Sequence, residues 1–95
     1  MTAHTVKLFG DFDFSRKGEL EQLLAAAAQA DVAVIDLRDV SYLDSSVLTS
    51  LMNLKRRMEA RGEAGTIRIV GANQSLRRIF TICGLDRYFE FSSVT

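Results

Sequence analysis

The residues of this chain best suited to chemistry are Asp44, Ser45 and Ser46, a carboxylate followed directly by two hydroxyls, with an apolar helical stripe beginning at the next position. Such a corner can do two things. Its oxygens can accept hydrogen bonds from the free amides of a first helical turn, and an exposed hydroxyl at the positive end of a helix can carry an anionic group such as a phosphate. Hydrolysis through an activated serine needs more, namely a base within hydrogen-bond reach that a third group orients. His4 is the only histidine, it falls at the start of the first strand and so at the far edge from Ser45, and no Gly-x-Ser-x-Gly elbow occurs. No enzyme is expected.

Metal and cofactor chemistry has no better footing. One histidine, one cysteine and scattered carboxylates lack ligand spacing, so neither a metal nor another cofactor is expected. Cys83, on what reads as an apolar helical face, is expected to be a small core residue. Asp36 and Asp39 are assigned to the strand end, one to satisfy backbone amides and the other open to partners. The cations Lys55, Arg56, Arg57, Arg61, Arg77 and Arg78 read as solvated helix faces with dipole-favouring ends. No aromatic residue interleaves with them as base stacking would require, so nucleic acid is not expected as a partner.

The chain length of 95 residues and hydrophobic content of 47% fit one compact domain over 1–95. Twelve basic and twelve acidic side chains cancel, so no field of one sign exists to gather a polyanion or an anionic membrane. A partner must be held by a shaped patch. The lone cysteine fits a reducing compartment, and Met1 to Lys7 lacks the apolar core of a signal peptide, so a cytoplasmic location is expected. No apolar run approaches the ~20 residues needed to cross a bilayer, and direct membrane insertion is not expected.

The elements that must position the corner follow from periodicity. Thr5 to Phe9 reads as a short strand ended by Gly10, with Asp11, Phe12 and Asp13 in a turn and Ser15 capping a helix through Leu20, Leu23, Leu24, Ala27 and Ala28 to about Ala30. Val32 to Leu37 is a nearly continuous apolar run, which reads as a central strand covered on both faces. Val47, Leu48, Leu51, Met52, Leu54 and Met58 give the second helix its stripe, and Gly62 supplies the stop. Thr66 to Val70 is a third strand closed by Gly71. Asn73 or Ser75 caps a third helix with Leu76, Ile79, Phe80 and Cys83 inside, and Gly84 ends it with an apolar contact from Leu85. Tyr88 to Phe91 is the last strand, followed by a frayed tail from Ser92 to Thr95. Strict alternation predicts an α/β fold, a four-stranded mainly parallel sheet with three crossover helices. The loops after the first three strands then emerge at one sheet edge. Asp11 and Asp13, then Ser41, Tyr42, Asp44, Ser45 and Ser46, then Asn73, Gln74 and Ser75 are expected to share one polar surface.

The run Val34-Ile35-Asp36-Leu37-Arg38-Asp39-Val40-Ser41-Tyr42-Leu43-Asp44-Ser45-Ser46 resembles the strand and the Asp-Ser-Ser-Gly or Asp-Ser-Thr-Gly corner of the STAS domain family, in particular its small bacterial anti-sigma factor antagonists. Gly10 to Asp13 resembles the family's Gly-Glu-x-Asp turn. Leu76-Arg77-Arg78-Ile79-Phe80 through Gly84-Leu85 resembles its third helix and Gly-Leu stop. The resemblance covers Thr5 to about Phe91 and implies the STAS fold. It also implies a phosphorylation-controlled switch in transcription regulation, with Ser45, the serine after the motif aspartate, as the phosphosite. The unmodified domain would sequester an anti-sigma factor that is also a serine kinase, phosphorylation would release it, and a PP2C-type phosphatase would reset the switch. The implied partner surface comprises Asp11, Asp13, Tyr42, Asp44, Ser45, Ser46, Val47 and Asn73.

Two departures from the family pattern stand out. Val47 occupies the usual glycine position, placing a branched side chain in the first turn beside the phosphosite. Few residues precede the first strand where many members carry an additional strand, which leaves one sheet edge less covered and open to homodimer pairing. Val47 sustains a second reading, a STAS subunit without a phosphorylation cycle in a phospholipid-trafficking ABC transporter or a larger signalling complex.

Overall fold

The structure, a computed structural model, describes residues 2–61 and 65–92. The expected stop at Gly62 and positions 93–95 of the expected tail lie outside them, whereas Ser92, expected in that tail, pairs with Val70 as the end of the last strand. In chain order the elements are β1 (Ala3–Phe12), a 3-10 turn (Phe14–Arg16), α1 (Lys17–Ala27), β2 (Val32–Leu43), α2 (Ser45–Ala60), β3 (Thr66–Val70), α3 (Gln74–Ile82), a second 3-10 turn (Asp86–Tyr88) and β4 (Glu90–Ser92). All strand pairs are parallel, and the spatial order is β1-β2-β3-β4. This is the expected α/β architecture of four parallel strands and three helices.

The strand order has a consequence that the apolar run of β2 concealed. Each connection steps one place in the same direction, and crossovers between parallel strands are right-handed, so all three connecting helices fall on one face of the sheet. The burial pattern follows suit. Val6 and Leu8 of β1, Ala33, Ile35 and Leu37 of β2, and Ile67 and Ile69 of β3 are buried, whereas Val32, Val34, Thr66, Arg68 and Val70 between them are half-buried. β2 is central but covered on one face only, which corrects the two-sided expectation. A nearly continuous apolar run, broken only by Asp36, was compatible with either arrangement, because an open sheet face tolerates valine.

β1 is longer than its sequence pattern indicated, and Asp11 lies inside it in register with Tyr42 instead of in a turn. Register shifts between Lys7 and Phe9 and between Gly10 and Asp11 let it follow β2 to its end. The cap ahead of α1 also differs from expectation. Asp13 accepts from the Ser15 amide at 2.9 Å and from its hydroxyl, so the carboxylate forms the local turn and Ser15 is its donor. The chain then enters α1 through the 3-10 turn, with no side-chain cap at Arg16. Arg16 stacks over Phe12 with its guanidinium 3.7 Å from the ring centroid and donates to the Phe9 carbonyl at 2.7 Å, pinning α1 to the end of β1.

α1 ends at Ala27, short of Ala30, and the carbonyls beyond it are satisfied from another helix. Arg61, just past α2, donates to the carbonyls of Gln29 at 2.8 Å and Ala30 at 2.7 Å, while Lys55 donates to that of Gly65. Two of the supposedly solvated cations are therefore backbone staples. Ser50 is buried where α1 faces α2 and donates to Glu21 at 2.8 Å. Phe80 meets Phe89 and Phe91 edge-on, with centroids 5.6 and 5.2 Å away, which ties α3 to β4.

α3 ends in two reversed hydrogen bonds, Leu85 amide to Phe80 carbonyl and Gly84 amide to Thr81 carbonyl, with Gly84 at φ +73°. Leu85 packs against the core as expected. Cys83 does not: it is exposed, because the reversal brings Leu85 back to make the apolar contact.

Gly71, at φ +73°, brings β3 so close to β2 that a Cβ there would lie 2.9 Å from the Arg38 backbone. Gly71→Ala combines a left-handed conformation with a backbone clash and is expected to cost about 1 to 3 kcal/mol, read as a lower urea midpoint with an unchanged slope.

Candidate functional site

The parallel sheet brings the ends of β1, β2 and β3 to one edge, and with them Asp13, Asp44 and Asn73. The corner is anchored there by the Asp44 amide, which donates to the Phe12 carbonyl at 3.3 Å. Asp44 is extended, with φ −102° and ψ 177°, which turns its carboxylate back over the first turn of α2. One oxygen, Oδ1, accepts from the Ser46 amide at 2.9 Å, the Val47 amide at 3.4 Å and the Ser46 hydroxyl. The motif aspartate is thus the N-cap, satisfying amides that no preceding turn can reach.

The two serines have different fates. Ser46 is half-buried and its hydroxyl is spent on Asp44. Ser45 is exposed, and its hydroxyl has no hydrogen-bond partner among the described residues; only its carbonyl is engaged, by the Thr49 hydroxyl at 3.1 Å. Adjacent hydroxyls that look equivalent in sequence therefore differ: one is a structural donor to Asp44 and the other is exposed.

The other sequence candidates divide similarly. Tyr42 is 48% exposed and faces Asp11 across the β1–β2 ladder, while Asp11 and Asp13 are exposed beside it. Asn73 is exposed but its amide oxygen caps α3, accepting from Leu76 at 2.9 Å. Val47 is 2% exposed and belongs to the core, so its side chain is not part of an outer surface. At the first turn of α2 this position faces the sheet, and the branched side chain expected to crowd Ser45 points away from it.

His4 pairs in register with Ala33, at the opposite end of β1 from the corner. Asp36 accepts from the Arg38 amide at 2.9 Å, and Asp39 pairs with Lys7 at 3.2 Å, so the first does serve the backbone. Among the described residues no cluster of three or more histidine, cysteine or acidic side chains is placed to hold a metal, and no helix is long and apolar enough to cross a membrane.

One feature escaped the sequence reading. A groove runs from Ser45 along α2, with Thr49, Met52 and Arg56 on its wall and Leu48 beneath, and is closed opposite by Cys83 and Leu85. Positions 45, 48, 49, 52 and 56 share a helical stripe, in which Leu48 belongs to the core as expected and the half-buried Met52 packs against it.

A family model described as "Mlab, STAS domain" matches residues 2–93. The chain belongs to the STAS-domain family. A STAS-domain containing protein of Pseudomonas aeruginosa is 32% identical over 89 residues, covering 93% of this chain and 86% of the relative. Among solved structures, the anti-sigma factor antagonist SpoIIAA in its unphosphorylated form superposes with a TM-score of 0.75 at 16% identity, over 99% of this chain and 82% of that one. Its phosphorylated form, from Bacillus, gives 0.73 at 18% identity, over 99% and 84%. A sulfate transporter family protein from Wolinella succinogenes gives 0.75 at 18% identity, over 97% and 78%. These likenesses establish that the STAS fold is shared by a regulatory protein and a transporter-family protein alike.

Asp44→Ala removes the side chain that caps the N-terminus of α2. It is expected to cost about 1 kcal/mol in chemical denaturation, with Asp44→Asn retaining most of the stability because an amide oxygen can still accept.

Proposed function

We propose that this STAS domain is an anti-sigma factor antagonist, a non-catalytic switch that sequesters a kinase-type anti-sigma factor until Ser45 is phosphorylated. The observation that carries the reading is the difference between the two hydroxyls: Ser46 is bound to Asp44, and Ser45 is exposed and unengaged. The inward turn of Val47 supports it, since the usual glycine is replaced without a side chain in the path to Ser45. SpoIIAA, which shares the fold, is an anti-sigma factor antagonist known in unphosphorylated and phosphorylated forms.

The electrostatics suit a switch of binding better than a switch of fold. A phosphate on Ser45 adds about −1.5 to −2 charges next to the N-terminus of α2, where the dipole favours an anion by ~0.3 to 1 kcal/mol. Asp11 and Asp13 on the same edge repel it, so the two effects roughly offset and the domain stays folded. A docking protein instead meets a changed surface made by Asp11, Asp13, Tyr42, Asp44 and Ser45, with Asn73 at its margin. A PP2C-type phosphatase would restore it, and the reading places the protein in the cytoplasm with its kinase.

A second reading, a STAS subunit of a transporter assembly without a phosphorylation cycle, is supported by the transporter-family neighbour of the same fold. The two separate on Ser45. With a serine kinase of the histidine-kinase-like ATPase type, wild type is expected to take up one phosphate, Ser45→Ala none and Ser46→Ala about as much as wild type. Binding of the kinase is expected to survive Ser45→Ala and to fall about tenfold or more with Ser45→Asp, measured by isothermal titration. Equal affinity of all forms, or recovery of a transporter ATPase as the stable partner, would sink the switch.

A further inference from the structure

We infer that the groove between α2 and the end of α3 seats an apolar segment of the partner protein that carries a carboxylate, with Arg56 as the group that receives it; the inference rests on the docking reading of Ser45 given above. The groove begins at Ser45 itself, so a protein that covers the hydroxyl is led directly into it. Its volume, about 240 Å3, lies below the roughly 300 to 1,000 Å3 of small-molecule sites and is suited instead to a few inserted side chains.

The lining states the chemistry of the occupant. Met52 and Leu85, both half-buried, present an apolar surface over the buried Leu48, and methionine adapts its shape to what packs on it. Ile82, next to Cys83, is 75% exposed and adds a further apolar side chain at the same helix end. Among the described residues no carboxylate lines the groove. Arg56 hydrogen-bonds only the side chain of Asn53, at 3.2 Å, and has no acidic partner among the described residues. Lys55 and Arg61, by contrast, are occupied by backbone carbonyls, and Arg57 does not line the groove. A free guanidinium at the end of an apolar groove selects a partner segment whose acidic group lies beyond its apolar ones. A second copy of this chain would leave that charge to be matched by chance, and a small neutral ligand would not use it.

Cys83 provides the readout, being the only cysteine in the chain, exposed, and part of the groove wall. The probe is the kinase that phosphorylates Ser45, added to the unmodified wild-type protein. Alkylation of Cys83 by N-ethylmaleimide, followed by mass spectrometry of its peptide, is expected to slow about tenfold or more in the complex. Arg56→Glu, on an exposed side chain whose change leaves the core intact, is expected to weaken kinase binding about tenfold or more, and Arg56→Lys much less. Unprotected Cys83 together with wild-type affinity of Arg56→Glu, in a complex that still phosphorylates Ser45, would overturn the groove and leave the switch standing. Protection of Cys83 by self-association without the kinase would also overturn it. Absence of any binding or phosphorylation by such a kinase would remove the switch and the groove's occupant together.

Discussion

A single carboxylate oxygen, Oδ1 of Asp44, holds the functional end of this molecule together. It caps two amides at the start of α2 and takes the Ser46 hydroxyl, while the Asp44 amide ties the same residue to the last carbonyl of β1. Strand end, helix start and neighbouring strand are thereby fixed relative to one another. Ser45 is exposed at this corner, while the Ser46 hydroxyl and the Ser46 and Val47 amides all engage Asp44.

The second constraint is topological. Parallel strands in sequential order, joined by right-handed crossovers, put every helix on one face and every β-to-α loop at one edge. The first consequence concentrates the core between sheet and helices, where Phe80, Leu51, Met58 and Ile35 are fully buried. The second gathers Asp11, Asp13, Tyr42 and the Asp44 corner into a continuous polar surface. The helical layer adds a groove that starts at the same corner, so edge and groove form one extended face.

Much of this was legible in the sequence because its signals are local. Element order follows from apolar periodicity. The α3 stop follows from Gly84-Leu85, and both helix caps at the functional edge follow from Asp44 and Asn73 ahead of apolar stripes. The signals that failed depend on contacts between distant segments. The course of β1 past Gly10 depends on β2 running alongside it, Cys83 is exposed where the chain reverses and Leu85 packs on the core, and Arg61 finds the carbonyls of Gln29 and Ala30 on a segment far away in the chain. A charged side chain in sequence carries no label saying whether water or a carbonyl receives it.

The amino-acid sequence by itself determined the α/β class, the parallel order of elements and the place of the Asp-Ser-Ser corner between strand and helix, since each is written in spacing and residue type over a few turns of chain. Only the tertiary structure decided which of two adjacent hydroxyls is free, which way Val47 points, that β2 has one open face, and that a groove leads from Ser45 to Arg56. Those depend on where the other elements lie when the helices settle on one side of the sheet, and the direction of a side chain relative to a distant neighbour is not encoded in local periodicity.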